Sequence, residues 1–213
     1  MKHTLRIRLA ALAGLLVLTR IAAAGPGINV EYSADQVVET KDGVTTMKVY
    51  STPTAERKEI KDGADAAVMI SRYDKKVVWN LIPEEKIYMT MPMGGAEDTS
   101  RDSDVTNYKI ESTPMGEETL NGITVSKSKI LMTDPDGSKL GGFSWTTSDG
   151  IIVKLDAISV DKGGKNRMKL EMKNLQLGPQ PKELFELPRD YEQMDLGGKG
   201  MLKDLIKGSL FGR

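Results

Sequence analysis

Short runs in which apolar and polar residues alternate fill the chain from Val30 onward. In one of the clearest, Met168, Leu170 and Met172 alternate with charged residues. Successive side chains of a β-strand point to opposite faces of the sheet, so this run predicts a strand with one apolar and one wet face. Turn residues such as Lys41-Asp42-Gly43 separate the runs at short intervals. The pattern therefore predicts an antiparallel meander.

About ten strands are predicted, and a sheet of that size tends to curl or close. The polar stretch Gly94–Asn107 interrupts the runs and predicts either a mobile loop or a short helix. Few helical patterns are present, and the clearest is an amphipathic C-terminal helix over residues 201–213. Its apolar stripe could dock on the sheet, lie on a membrane surface or plug an opening. The stripe consists of Met201, Leu202, Leu205 and Ile206.

The first 24 residues have the order of features expected of a cleavable signal peptide. Basic residues lead into an apolar run, Leu9–Leu18, and Ala22-Ala23-Ala24 then offers a cleavage site before Gly25. The apolar run is shorter than the roughly 20 residues that span a bilayer. We therefore expect export to the periplasm, one domain over residues 25–200, and a tail over 201–213.

Cleavage at that site would change the chemistry available to the chain. It would remove the only histidine, His3, and leave 26 basic and 30 acidic residues, a net charge of −4. This mild acidic balance gives no electrostatic reason to expect nucleic acid as a partner. With no cysteine either, histidine- or cysteine-based catalysis and zinc sites built on these side chains are excluded. A Ser-Lys or carboxylate mechanism stays open, but the Asp and Glu residues are scattered through turns and strands, and we predict a protein that is not an enzyme and that carries no cofactor.

The run Met89-Thr90-Met91-Pro92-Met93 raises a question of its own. Period-two spacing puts Ile87, Met89 and Met91 on one strand face. Thioethers are soft ligands suited to Cu(I), but methionine also adapts to varied apolar partners and fills cores. Three interpretations stay open: a metal clamp, the wall of an apolar pocket, and core packing. Trp79 also fits either a core or a pocket.

Three stretches together resemble secreted bacterial proteins of the LolA superfamily. They are SRYDKKVVWNLIPEEKIYMTMP, GEETLNGITVSKSKI, and FSWTTSDGI followed later by ELFELPRDYEQMDL. The resemblance runs from about Val30 to Gly200. It implies a mainly β fold with a strongly curved antiparallel sheet, an unclosed half-barrel, and a helical lid over an apolar cavity. Relatives include carriers of acyl chains or glycolipids and periplasmic sensor modules.

These observations predict a periplasmic, non-enzymatic binding protein that holds a lipid, an acyl chain or a lipoprotein on its curved sheet. The alternative is a structural or sensory module of the cell envelope that binds protein, and a more remote one is a methionine-based Cu(I) or Ag(I) binder. Membrane contact would come through the C-terminal helix. The predicted apolar wall consists of Trp79, Ile87, Met89, Met91, Met168, Leu170 and Met172.

Overall fold

The structure is a computed structural model, and it describes residues 28–62, 65–93, 109–133, 138–161 and 164–194. These residues form one sheet of twelve strands and a short 3₁₀ helix, Lys182–Phe185. The first six strands are β1 Tyr32–Thr40, β2 Gly43–Thr52, β3 Ala55–Asp62, β4 Asp65–Arg72, β5 Val77–Ile82 and β6 Ile87–Pro92. The others are β7 Lys109–Leu120, β8 Ile123–Thr133, β9 Lys139–Thr146, β10 Ile152–Asp161, β11 Gly164–Leu177 and β12 Glu192–Gln193.

Two meanders make up the sheet and meet in its middle. The first runs outward from β1 to β6, and the second starts at the opposite edge with β7 and runs inward to β11. There β11 pairs with β1, so an early strand and a late strand of the domain are neighbours. The described strands leave the sheet open, because β7 and β12 lie at opposite ends of the strand order. The predicted mainly β, unclosed architecture is confirmed.

Two details of the strands differ from the sequence-based expectation. The short strand β12 pairs with β6 in parallel, whereas every other neighbouring pair is antiparallel. The run YKIEST predicts a strand that ends at Thr113, but β7 continues to Leu120. A bulge explains the difference. Met115 is left unpaired between Pro114 and Gly116, and the bulge accommodates this proline and this glycine, which normally interrupt a strand. Pairing then resumes as far as the hairpin turn into β8.

The sheet has two faces of different composition. Cross-strand pairing places seven methionines on one side, which we call the methionine face. Trp79 and Trp145 lie on the other side, which we call the tryptophan face. The described strands β1–β11 contain one further methionine, Met115, exposed in the β7 bulge. The methionine face carries Met47, Met69, Met89, Met91, Met132, Met168 and Met172.

The segment 182–191 covers part of the tryptophan face. Phe185, only 5% exposed, packs against Ile70 and Leu81. Two arginines fasten the segment to the sheet through its backbone: Arg57 donates to the carbonyl of Leu184 at 3.0 Å, and Arg72 donates to that of Phe185 at 3.2 Å. The part of the tryptophan face around Ile70 and Leu81 is therefore covered by the chain itself.

Three sequence-based predictions lie outside the described residues: the signal peptide over residues 1–24, the polar stretch Gly94–Asn107, and the C-terminal helix over 201–213. Among the residues that the structure does describe, no helix has the length and apolar character needed to cross a membrane.

Candidate functional site

Six of the seven predicted wall residues lie on the methionine face. Ile87, Met89 and Met91 project from β6, and Met168, Leu170 and Met172 project from β11. Trp79 does not join them, because it is paired with Ile70 and Thr90 on the tryptophan face. There it packs with the cluster around Phe185, and the ammonium of Lys75 lies 5.3 Å from its ring centroid. The wall therefore excludes Trp79.

The two groups of wall residues are distant from each other within the sheet. The strand order separates β6 from β11 by six strand spacings, or about 29 Å along the sheet. Ile60 on β3 connects the two regions, because it packs both against the large core cluster that contains Leu170 and against a smaller one around Met69. Apolar contacts on the methionine face thus continue from one region to the other through Ile60.

Methionines concentrate near the β6 end of this face. Met91 and Met93 pack on Met69, which is 1% exposed, together with Ala67 and Val78. This brings three thioethers into one apolar cluster. Among the described residues, no group of three or more His, Cys, Asp or Glu side chains could hold a metal ion.

A line of buried polar side chains crosses the methionine face, and we call it the polar seam. Cross-strand pairing runs from Tyr32 on β1 through Ser51 and Glu56 to Ser71 on β4. None of these four side chains is more than 8% exposed. The seam also includes Lys58 and Asn80 from the adjoining row, and Gln36 lies one row further along β1; each is at most 3% exposed.

The polar seam is incompletely satisfied. The ammonium of Lys58 lies 3.0 Å from Oε1 of Glu56, but the contact lacks the geometry of a hydrogen bond. No donor from the described part of the chain reaches the buried side-chain oxygens of Gln36 and Asn80. Burial, reinforced by the nearby charge of Glu56, raises the pKa of Tyr32 far above its usual value, against the opposing hydrogen bond with Ser51. The seam thus offers unused acceptors within an apolar surface.

Sequence reasoning missed the seam, although the chain carries a signal for it. The run Ala55–Asp62 has charged residues at both alternating positions, so it shows no apolar face for most of its length. An internal strand of this kind must bury some of its charges. Over residues 55–60, the part of the strand whose burial is described, Lys58 and Glu56 are buried.

A separate cleft of 390 Å³ opens at one end of the strands β8, β10 and β11. One of its lining residues, Leu177, pairs with Tyr32 at the β1 end of the polar seam. Its walls are formed by Ile123, Thr124, Thr147, Ser148, Asp149, Ile151, Leu175 and Leu177.

No protein family model and no curated protein matches this sequence. Several solved structures, however, are similar to this one. An uncharacterised conserved protein from Thermus thermophilus is similar with a TM-score of 0.51 and 15% identity, over 85% of this chain and 98% of that one. At this identity the likeness shows a shared fold.

Two further solved structures are similar at lower TM-scores. MucB, in the MucA/MucB complex of Pseudomonas aeruginosa, gives a TM-score of 0.44 and 16% identity, over 81% of this chain and 60% of that one. A LolA superfamily protein from Nitrosomonas europaea gives 0.39 and 12%, over 74% of this chain and 90% of that one. The similar structures thus include a member of the superfamily that the sequence resembles.

Proposed function

We propose that the protein binds an amphiphilic lipid, with the acyl chain lying on the methionine face. The observation that carries this proposal is the concentration of seven methionines on one side of an open sheet. Methionine is flexible and polarizable, and it recurs where one surface must fit apolar partners of varied shape. A core that needed only rigid packing would favour branched side chains with fewer rotamers.

The polar seam supports a ligand that also has a polar group. An unsatisfied buried acceptor costs roughly 1–3 kcal/mol, so the oxygens of Gln36 and Asn80 are costly unless a donor reaches them. The charges of Lys58 and Glu56 offset each other, which disfavours a headgroup with net charge. A neutral group rich in hydroxyls, such as glycerol, supplies a donor to Asn80, whereas Gln36 on β1 is four strand spacings, about 19 Å, too distant for the same group to reach. We therefore infer that the ligand is a neutral, hydroxyl-bearing lipid.

Native mass spectrometry of the exported protein tests the binding proposal. We expect a co-purifying mass in the range of a lipid. Titration of a fluorescent acyl probe with competing monooleoylglycerol or methyl oleate then tests the polar group. Monooleoylglycerol should compete about five to ten times better, since one recovered hydrogen bond is worth about 1 kcal/mol. Absence of both a lipid mass and saturable probe binding would overturn the proposal.

The variant Asn80→Leu isolates the contribution of the seam. It removes an unsatisfied acceptor and keeps the number and branching of the side-chain heavy atoms, so the fold should persist. Monooleoylglycerol should lose its advantage over methyl oleate, while probe binding remains. Thr90→Val is the matched control, because Thr90 is exposed on the opposite face of the neighbouring strand. This control should leave the relative affinities of monooleoylglycerol and methyl oleate unchanged.

We also propose that the protein works in the periplasm after cleavage before Gly25. The proposal rests on the basic, apolar and small-residue order of residues 1–24. N-terminal sequencing of the exported protein should begin at or near Gly25. Recovery of an intact Met1 from the periplasmic fraction would overturn it.

A further inference from the structure

The uncovered part of the tryptophan face carries apolar side chains in contact with solvent. Phe143 is 37% exposed, Ile158 44% and Val160 40%. They project from the neighbouring strands β9 and β10, where Ile158 pairs with Gly141. Leu131 on β8 lies beside them, because a Cβ built at Gly141 would sit 3.6 Å from its Cδ1 atom. Four apolar side chains thus form one cluster, and such clusters on a protein surface commonly mark interaction sites.

Cations surround this apolar cluster. Lys129 lies opposite Phe143 in the sheet register, and Lys139 and Lys165 flank Val160 from both sides. All three lysines are exposed, and none forms an ion pair with another described residue. We call these three lysines and the four apolar residues the β8–β10 surface.

Among the described residues, the two carboxylates that lie opposite Phe143 and Leu131 in the sheet register are each ion-paired. Asp156 accepts two hydrogen bonds from Arg167, at 2.9 and 2.7 Å, and this bond holds the pKa of Asp156 below its usual value. Glu111, opposite Leu131, is paired with Lys109. The surface therefore presents positive charge around an apolar centre, although the whole chain has a formal net charge of zero.

The geometry of this surface selects among possible partners. Both β9 and β10 have a neighbouring strand on each side, so no free backbone edge is available for a peptide to add as a strand. The chain's own residues 195–213 carry four cations against two carboxylates, which repels them from the lysines. An anionic bilayer presents negatively charged phosphates in a plane above apolar acyl chains. The separated lysines of this surface can contact the phosphates while its apolar side chains contact the lipid.

We propose that the β8–β10 surface docks the protein on an anionic lipid bilayer, with Phe143, Ile158 and Val160 entering the headgroup region. The proposal is independent of the ligand on the methionine face, because the two surfaces lie on opposite sides of the sheet. It places membrane contact on the described sheet, whereas the sequence predicts that contact for residues 201–213.

Co-sedimentation of the full exported chain with vesicles tests this docking. We expect binding to phosphatidylcholine vesicles that contain about one third phosphatidylglycerol, and little binding to phosphatidylcholine alone. Adding salt should release the protein, since the lysines act partly through long-range attraction. The triple variant Lys129→Gln/Lys139→Gln/Lys165→Gln should weaken binding to the anionic vesicles by about a hundredfold.

Two further variants make the outcome decisive. A control triple, Lys41→Gln/Lys182→Gln/Arg189→Gln, removes the same charge from exposed positions elsewhere and should bind nearly as well as the unaltered chain. Ile158→Thr/Val160→Thr keeps β-branched side chains at both positions and should weaken binding with all charges present. If both triple variants lost the same amount of vesicle binding, the binding would depend only on net charge, and the proposal would be overturned. So would equal binding to neutral vesicles, or binding to polyglutamate but not to vesicles.

Discussion

Two adjacent glycines in β9 face opposite sides of the sheet and meet different neighbours. A Cβ at Gly142 would lie 2.1 Å from the carbonyl oxygen of Asp156 and 2.5 Å from the Cα atom of Ala157. A Cβ at Gly141 would meet Leu131 at 3.6 Å, an ordinary contact. The absence of a side chain at Gly142 thus lets β9 and β10 approach on the methionine face.

Alanine at these two positions should have unequal effects. Gly142→Ala forces the two backbones apart and should lower the free energy of unfolding by about 2 kcal/mol or more. Gly141→Ala should change it by less than about 1 kcal/mol. Urea unfolding of both variants checks this, and equal losses would contradict the close approach at Gly142.

Neighbouring residues on β11 offer a second comparison. Leu170 is 4% exposed on the methionine face, whereas Lys169 lies on the other face and bonds to Glu39 at 3.0 Å. Leu170→Lys buries an unpaired charge and should cost about 3 kcal/mol or more. Lys169→Ala removes one exposed ion pair and should cost less than about 1 kcal/mol. Similar shifts in thermal melts of the two variants would show that the assignment of the faces is wrong.

At the scale of elements, β6 offers a direct comparison of the three roles considered for its methionines. Replacing Met89 and Met91 with leucine keeps their volume and apolar character, so each change should cost less than about 1.5 kcal/mol. Lipid-probe binding should survive, whereas a metal clamp would lose its Cu(I). Replacing both with glutamine should weaken probe binding, since the amides would find no partners against an acyl chain.

A result from the leucine variant could refute the pocket role of β6. If the leucine variant loses probe binding but keeps its melting temperature, an apolar side chain of the same volume cannot replace these methionines, and the pocket role is refuted. If only the melting temperature falls in the glutamine variant and binding is untouched, the two side chains are core.

The turn between β4 and β5 links the sheet to the covering segment through ion pairs. Arg72 donates to both carboxylate oxygens of Asp74, at 2.9 and 2.7 Å, and also bonds to Glu186. The Arg72 bond lowers the pKa of Asp74 from 3.8 to about 2. The carboxyl is thus more acidic in the folded protein than in the unfolded chain.

The sign of this shift gives a pH dependence. Asp74 stabilises the fold fully above about pH 4, and the contribution is lost as the pH falls from about 4 to about 2. Asp74→Asn removes the titrating group, so its stability should fall less steeply over that interval. Urea midpoints measured across this range check the prediction, and parallel curves for the two proteins would contradict it.

At the scale of the whole molecule, local alternation was enough to predict most strands and the facing of β6 and β11. It could not predict the strand order, because pairing of β1 with β11 depends on contacts between distant parts of the chain. It also missed the burial of Lys58, which is decided by the strands on either side. Six of the residues predicted for an apolar wall share one face of the sheet, whereas Trp79 lies on the other, because an aromatic side chain fits either face of a strand.

The meeting of β1 and β11 at the centre of the sheet has a consequence for the order in which the protein can be built. Val38 pairs with Leu170, about 130 residues further along the chain. A chain exported from its N-terminus delivers β1 well before β11. Until β11 follows, β1 has one unpaired edge that is open to pairing with another chain. The first meander therefore needs protection from such pairing until β11 is available to pair with β1.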